Sequence, residues 1–319
     1  MITIRAFRGD DADYAAYAAV RNAVFPEYPY TAAELRSFDE KRDARCFYAR
    51  VLVEIDGQIV GEAHIGHMAW MFNPQIFDLG VYVHPEYRRR GAGSLLYQQL
   101  LATVAKFEPR AFLHEVREDY SDGVRFAQQR GFGEERRIWE SRLNVRAFDP
   151  SRFTGAIERA EASGISFTTA AELIGRDESF WRQLHALDTT VTDVPSPEPL
   201  TPPDFATWIK YFDSPNFIPE GMFIARDGER IVGSSSLWRR ESSNELDTGF
   251  TGVYPQYRRR GIALALKLQA INYANQVGAP IIRTENDATN RGMLSINELL
   301  GFVKQPAWLT MRSEQVPQL

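Results

Sequence analysis

Val83, His84, Pro85, Glu86, Tyr87, Arg88, Arg89, Arg90, Gly91, Ala92, Gly93 returns later in the chain as Val253, Tyr254, Pro255, Gln256, Tyr257, Arg258, Arg259, Arg260, Gly261, Ile262, Ala263. The offset is 258 − 88 = 170, and Gly131-Phe132 against Gly301-Phe302 gives 301 − 131 = 170 again, so the chain is a duplicated domain. Each copy reads as an apolar strand, a Pro-marked turn, an Arg/Gly loop and an apolar-periodic helix (Leu95, Leu96, Leu100, Val104; Leu264, Leu266, Leu268, Ile271). Such a loop aims several free backbone N–H groups at one place with the positive end of a helix dipole behind them, and that place attracts phosphate.

The spacing excludes two familiar phosphate loops. A P-loop needs Gly, four residues, then Gly-Lys-Ser/Thr, and a dinucleotide fingerprint needs three glycines after the first strand with an acidic residue about 20 positions later; neither run occurs. Arg-x-x-Gly-x-Gly/Ala after a Val-x-Pro strand end (Arg88, Gly91, Gly93; Arg258, Gly261, Ala263) resembles motif A of the GNAT superfamily of acyl-CoA-dependent N-acyltransferases. A side chain at the glycines would hold the pyrophosphate of coenzyme A away from the amides. The resemblance implies acetyl-CoA as acyl donor. Its contacts would be Val81, Val83 and Arg88, Arg89, Arg90, Gly91, Ala92, Gly93, Ser94 in the first copy, and Thr251, Val253 and Arg258, Arg259, Arg260, Gly261, Ile262, Ala263 in the second.

With 319 residues, 44% of them hydrophobic, the chain divides naturally into two domains that each bury a core. The formal net charge of −5 makes the arginine runs local basic spots on an acidic chain, which argues against nucleic acid as the main partner. Cys46 is the only cysteine, so neither an intrachain disulfide nor a cysteine metal cluster is available, and a reduced, cytoplasmic setting fits. Nothing at the N-terminus reads as a signal peptide, and no apolar run is long enough to span a bilayer. His64 and His67 lie three apart on an expected strand and face opposite sides, so no metal is expected there.

The first copy reads as strand Ile2 to Ala6, a helix led by Asp10 and Asp11, strands Tyr48 to Ile55 and Gln58 to His64 joined at Asp56-Gly57, strand four at Ile76 to Val83, the loop and its helix, strand five at Ala111 to Val116, a helix near Val124 to Gln129, and a last strand at Arg136 to Leu143. The second repeats this from Ile165 through the Asp227-Gly228 hairpin to a final strand near Ala307 to Met311. The expected domains are therefore 1–145 and 164–319, with a partly helical joint at 146–163. The element order is also that of GNAT domains. The resemblance implies an α/β (α+β) fold with two tandem GNAT domains, each a mixed, mostly antiparallel sheet flanked by helices, with strands four and five splayed into a cofactor slot. The run Pro195, Pro197, Pro199, Pro202, Pro203 is an excursion peculiar to the second copy, either a surface loop or a wall of the acceptor pocket.

An alkylamine with a pKa near 10 is almost wholly protonated at neutral pH, so transfer to it needs a proton acceptor, donors for the developing oxyanion and a fate for the leaving thiolate. Carboxylates at strand ends are the base candidates: Glu245, Asp247 and Glu285 in the second copy, Asp78 and Glu115 in the first, with Glu115 and Glu285 in register (285 − 115 = 170). The pattern Asn286-x-x-x-Asn290-x-x-Met293-x-x-x-Asn297-x-x-Leu300-Gly301-Phe302 is similar to the C-terminal half of mycothiol-synthase-like tandem GNAT proteins. The resemblance makes Asn290 a cofactor contact, and puts Asn297 where a general-acid tyrosine usually stands; in the first copy Tyr120 and Ala127 hold those two places. The retained asparagines point to the C-terminal copy for catalysis, with the N-terminal copy a second cofactor site or a structural partner. The resulting reading is direct acetyl transfer from acetyl-CoA to a primary amine of a small molecule by a monomer or homodimer with no membrane partner. The alternatives are a non-catalytic CoA-binding or scaffold protein, and transfer to a protein N-terminus or lysine.

Overall fold

The structure is a computed structural model that describes residues 1–175, 177, 179–191, 196, 198–240 and 242–314. Two compact units divide the chain: the described residues of Met1–Arg137, Ser196–Pro203 and Trp308–Leu319 form an N-terminal unit, and those of Ile138–Pro195 and Asp204–Ala307 a C-terminal one. This differs from the continuous split expected at 1–145 and 164–319, and strand pairing is the reason.

The N-terminal unit is built on the strand order β1-β2-β3-β4-β5-β13: β1 (Ile2–Ala6), β2 (Tyr48–Ile55), β3 (Gln58–Gly66), β4 (Ile76–Val83), β5 (Ala111–Arg117) and, from the far end of the sequence, β13 (Trp308–Ser313). β13 runs antiparallel to β5 from Trp308↔Arg117 to Ser313↔Phe112. The first copy's own last strand, β6 (Gly133–Asn144), instead pairs through Ile138–Asn144 with a strand of the C-terminal unit. The two copies have thus exchanged their final strands.

Local chemistry sets the helices. The Asp10 carboxylate accepts from Asp13 N at 2.8 Å and starts α1 (Asp11–Val24); Thr31 and Glu34 form a reciprocal capping box that starts α2 (Ala32–Glu40). α1 lies over the sheet face that carries Glu62 and Tyr82, since Arg21 on its last turn reaches both. α3 (Ala92–Val104) buries Leu96, Leu100 and Val104 and lies on the face of Val83, and α4 (Ser121–Gln128) follows β5. The proline-rich excursion belongs to this unit where it is described. Thr201 accepts from Phe72 N at 2.7 Å, donates to Ala69 O at 3.0 Å and bonds through its own N–H to Trp70 O at 2.7 Å, bracing the turn at residues 69–73. Pro195 and Pro197 lie outside the described residues.

In the C-terminal unit α5 (Ala156–Glu161), β7 (Ser166–Thr169), α6 (Ala170–Leu173), α7 (Phe180–Thr190), α8 (Phe205–Trp208), β8 (Phe217–Asp227), β9 (Arg230–Arg240), β10 (Ser243–Val253), α9 (Ile262–Gln276), β11 (Ile281–Asp287), α10 (Arg291–Leu300) and β12 (Val303–Lys304) follow in order. Its strands run β6-β11-β10-β9-β8-β7, with β12 beside β6, and α9 buries Leu266, Leu268 and Ile271 in a core shared with Val232, Leu237 and Ile282. In both units the parallel pair opens early. β4 and β5 pair only from Ile76↔Ala111 to Asp78↔Leu113, and β10 and β11 only at Leu246↔Ile282 and Asp247↔Arg283.

Candidate active site

The two Arg/Gly loops share one backbone course. Arg89 and Gly91 have φ of 63° and 90°, Arg259 and Gly261 of 65° and 78°, and in each copy the first arginine folds back so that its Nε donates to the strand-end carbonyl, Arg88 to Val83 O and Arg258 to Val253 O, both at 3.1 Å. Arg90 and Arg260 reach back to Glu86 O and Gln256 O at 3.1 and 3.5 Å. On these left-handed turns the N–H groups of residues 89–93 and 259–263 bond to no other described residue. A Cβ at Gly91 or Gly261 would meet nothing within 4 Å, so both cradles are open where a phosphate would approach.

In the N-terminal unit the opening between β4 and β5 is a cavity of about 720 Å³ that runs from the cradle past Val81, Val83 and Ser94 to Glu115. Ser94 Oγ accepts from Arg130 at 2.9 Å. Tyr120, the N-terminal boundary residue of α4, lines the same cavity and stacks on Phe25 at 5.4 Å. A second cavity of about 410 Å³ lies on the α1 side of the sheet, with Asp78, His64 and Arg21 in its wall, and Glu115 and Tyr82 line both cavities. This juxtaposition was not read from the sequence beyond Asp78 and Glu115. The signal was present as period-2 alternation: Tyr48 and Arg50, Glu62 and His64, and Asp78 and Tyr82 all point to one face of β2–β4.

The Asp78 and Glu115 carboxylates accept no hydrogen bond from a described residue. Burial drives the Asp78 pKa well above the usual carboxylate range and the Glu115 charge raises it further; Glu115, open to the cavities but ringed by protein, is itself pushed up by burial. Burial holds His64 below its ordinary pKa and pushes the Tyr82 phenol up to about 12. His64 and His67, expected to face apart, both reach the wall of the 410 Å³ cavity; His67 Nδ1 accepts from Phe47 N at 3.1 Å.

The C-terminal carboxylates are held differently. Asp247 takes two bonds from Arg240, at 3.0 and 2.8 Å, and its pKa is raised by burial against that pairing; Glu245 accepts from Arg283 Nε at 2.5 Å. Glu285 is exposed on β11, opposite Glu140 in the ladder. Asn290 caps α10, its Oδ1 accepting from Met293 N at 3.2 Å, and Asn297 is buried with its Nδ2 donating to Asn286 Oδ1 at 2.6 Å. Thr251 bonds Ser235 at 2.9 Å, Ile262 is buried at the start of α9, and Ala263 stands where the first copy has Gly93.

β10 carries a bulge between Thr248 and Thr251 that β4 lacks. Pairing therefore aligns Asp247 with Asp78, because their partners differ by 283 − 113 = 170 while they differ by 247 − 78 = 169, and the bulge restores 253 − 83 = 170 by the loop. The same strand position holds an unpaired carboxyl in one unit and an ion pair in the other.

No helix among the described residues is long and apolar enough to cross a membrane. The chain is 28% identical over 234 residues to a mycothiol acetyltransferase of Streptomyces scabiei, covering 73% of this chain and 70% of that one, and 26% identical over 233 residues to a mycothiol acetyltransferase of Pseudarthrobacter chlorophenolicus, covering 71% and 67%. Its fold matches a tandem GNAT protein from the clavulanic acid biosynthesis pathway over all of both chains (TM-score 0.79, 15% identity), and a GCN5-related N-acetyltransferase from Sphaerobacter thermophilus over 100% of this chain and 97% of that one (TM-score 0.73, 23% identity). The family described as the acetyltransferase (GNAT) family matches twice, over residues 14–132 and 181–302. One match falls on each copy, and the chain is accordingly a tandem member of the GNAT family of acetyltransferases.

Proposed function

We propose that the chain is an acetyl-CoA-dependent N-acetyltransferase that moves acetyl directly onto a primary amine of a small molecule, with transfer in the N-terminal unit. The observation that carries this reading is the meeting of two cavities at Glu115 and Tyr82, one leading to the Arg/Gly loop and the other lined by Asp78. The unbonded N–H groups of residues 89–93, and the open space at Gly91, fit a pyrophosphate. When bound, acetyl-CoA supplies an acyl group activated as a thioester. Glu115, its pKa raised by burial and without a hydrogen-bond donor among the described residues, takes a proton from the incoming ammonium. The amine nitrogen then bonds to the acyl carbon as the carbon–sulfur bond breaks. The sulfur would take a proton from the Tyr120 phenol, which lines the slot; the second proton that the nitrogen gives up on bonding to the acyl carbon would restore that phenol through water, and the first, held on Glu115, would leave to solvent, so that one ammonium proton ends on the thiol and one in water.

The C-terminal unit, favoured from the sequence, is the second reading. Its support is the bulge between Thr248 and Thr251, which frees ladder N–H groups beside the slot for an oxyanion, together with the helix-capping Asn290. Glu285, exposed on β11 and in register with Glu115, would then be the base.

Acetyl-CoA should raise the melting temperature by mass action, and thiol release should appear with an amine panel. Gly91→Val is expected to remove most turnover and Gly261→Val to leave most of it. The reverse ranking moves transfer to the C-terminal unit.

A further inference from the structure

The 410 Å³ cavity is at the small end of the range for ligand pockets, which suits a metabolite rather than a protein tail. Its floor is aromatic. Tyr48, His64 and Tyr82 lie side by side, with ring centroids 5.8 and 5.9 Å apart and interplanar angles of 23° and 30°. Two glycines make room for them. A Cβ at Gly66 would come within 2.7 Å of Tyr48 Cδ2, and one at Gly80 within 2.5 Å of His64 Cε1 and 2.6 Å of Tyr82 Cε2.

The walls carry opposite charges that are incompletely answered by the protein. Asp78 and Glu115 lack hydrogen-bond donors among the described residues. Arg21 lies 4.3 Å over the Tyr82 ring, yet its Nε is buried without a partner, and its nearest carboxylate, Glu62, is 4.0 Å away, beyond hydrogen-bond reach. Arg42, the other cation of the wall, is already held by Asp39 at 2.8 Å and lies 3.3 Å over Tyr48. The pocket thus offers a carboxyl pair at its junction with the cofactor slot, one guanidinium with capacity to spare, and a flat π surface.

We infer that this pocket takes a small amino acid as the acetyl acceptor, its ammonium between Asp78 and Glu115, its carboxylate on Arg21 and its side chain over the Tyr48, His64 and Tyr82 rings. The inference rests on the reading that acetyl-CoA occupies the N-terminal slot. A charge-assisted bond to the carboxylate would separate a free amino acid from its amide, which keeps the amine and the side chain but not the anion.

The test uses the full-length protein, thiol release, and matched pairs of free L-amino acids and their amides, with glucosamine and simple alkylamines as further probes. Free amino acids are expected to exceed their amides in kcat/KM by on the order of tenfold to a hundredfold, the usual yield of a charged hydrogen bond. Arg21→Gln should collapse that ratio to within about twofold while leaving the acetyl-CoA melting shift intact, and Arg21→Lys should restore part of it. The wild-type comparison needs no variant, so a misfolded Arg21→Gln does not protect the idea. Amides or glucosamine equal to the best amino acid overturn it, as does a ratio unchanged in Arg21→Gln or surviving in Gly91→Val. If instead Gly91→Val leaves the N-terminal contribution to acetyl-CoA binding unaltered, the reading of the slot fails and not only the choice of acceptor.

Discussion

Asp78 and Asp247 occupy one strand position, but Arg240 answers only the second. A base is favoured by a pKa above the ordinary carboxylate range and by the lack of a competing donor, and burial raises the Glu115 carboxyl, which accepts no hydrogen bond from a described residue. Glu115→Gln is expected to lower kcat by on the order of a hundredfold at neutral pH with little change in acetyl-CoA affinity. Because the folded pKa is raised, wild-type activity should fall with decreasing pH while ordinary carboxylates are still ionised, and the variant should lose that limb. A pH–rate profile shared by the two proteins removes Glu115 from the chemistry. Lys267 shows the cost of burying a charge. It is buried on α9, 5.3 Å from the Phe302 ring, with its pKa lowered from an ordinary 10.5 to about 8. The charged form is disfavoured in the fold, so the penalty is full below about pH 8 and fades as pH rises toward 10.5. Lys267→Met should therefore stabilise the protein by about 2–4 kcal/mol at pH 7, with the gain shrinking at alkaline pH; denaturant melts at pH 7 and 10 showing no such trend would refute this. Asp78 and Glu115 were legible as strand-end carboxylates. Arg21, His64 and Tyr82 were not, because a helix and two strands far apart in sequence bring them together only once the sheet forms.

At the scale of elements, most of each copy could be read directly. The Asp56-Gly57 and Asp227-Gly228 turns, the helix led by Asp10 and the Arg/Gly loops have local causes, and they fall where the spacing put them. The bulge in β10 was not legible, since one extra residue among Thr248, Gly249, Phe250 and Thr251 leaves no turn signal and shows only in the register. The two loops share a backbone course and N–H groups that bond to no other described residue, while the strand leading to each differs. Gly91→Val and Gly261→Val should each diminish the acetyl-CoA melting shift and together abolish it, at a strain cost of about 1–3 kcal/mol apiece from a β-branched residue at positive φ. Undiminished binding by the double variant, measured by calorimetry, would rule out both loops as phosphate cradles.

For the whole molecule, duplication was plain from the 170-residue offset, but the division into units was not. A final strand placed by periodicity carries no label for the sheet it joins, so the boundary expected at residue 145 overlooked the exchange of β6 and β13. Removing residues from Trp308 onward should consequently harm the N-terminal unit, not the C-terminal one that precedes the cut. Amides of Phe112 to Arg117 should lose hydrogen-exchange protection and the Gly91-dependent acetyl-CoA shift should vanish, while β8 to β10 stay protected. Loss confined to the C-terminal unit would contradict the strand assignment.

Trp308 opens β13 and packs its ring 5.5 Å from Phe25, which lines the N-terminal slot. β13 leaves the ribosome 308 − 117 = 191 residues after β5, a delay of about 10–40 s at ordinary rates of synthesis. Through that interval the nascent unit has an open sheet edge and an unsupported slot wall, and the usual vectorial order, first domain finished first, cannot apply. A chain stalled or cleaved before Trp308 would carry both Arg/Gly motifs and still lack the strand that pairs with β5, so on the proposed N-terminal reading the site would be complete only when translation has passed residue 313.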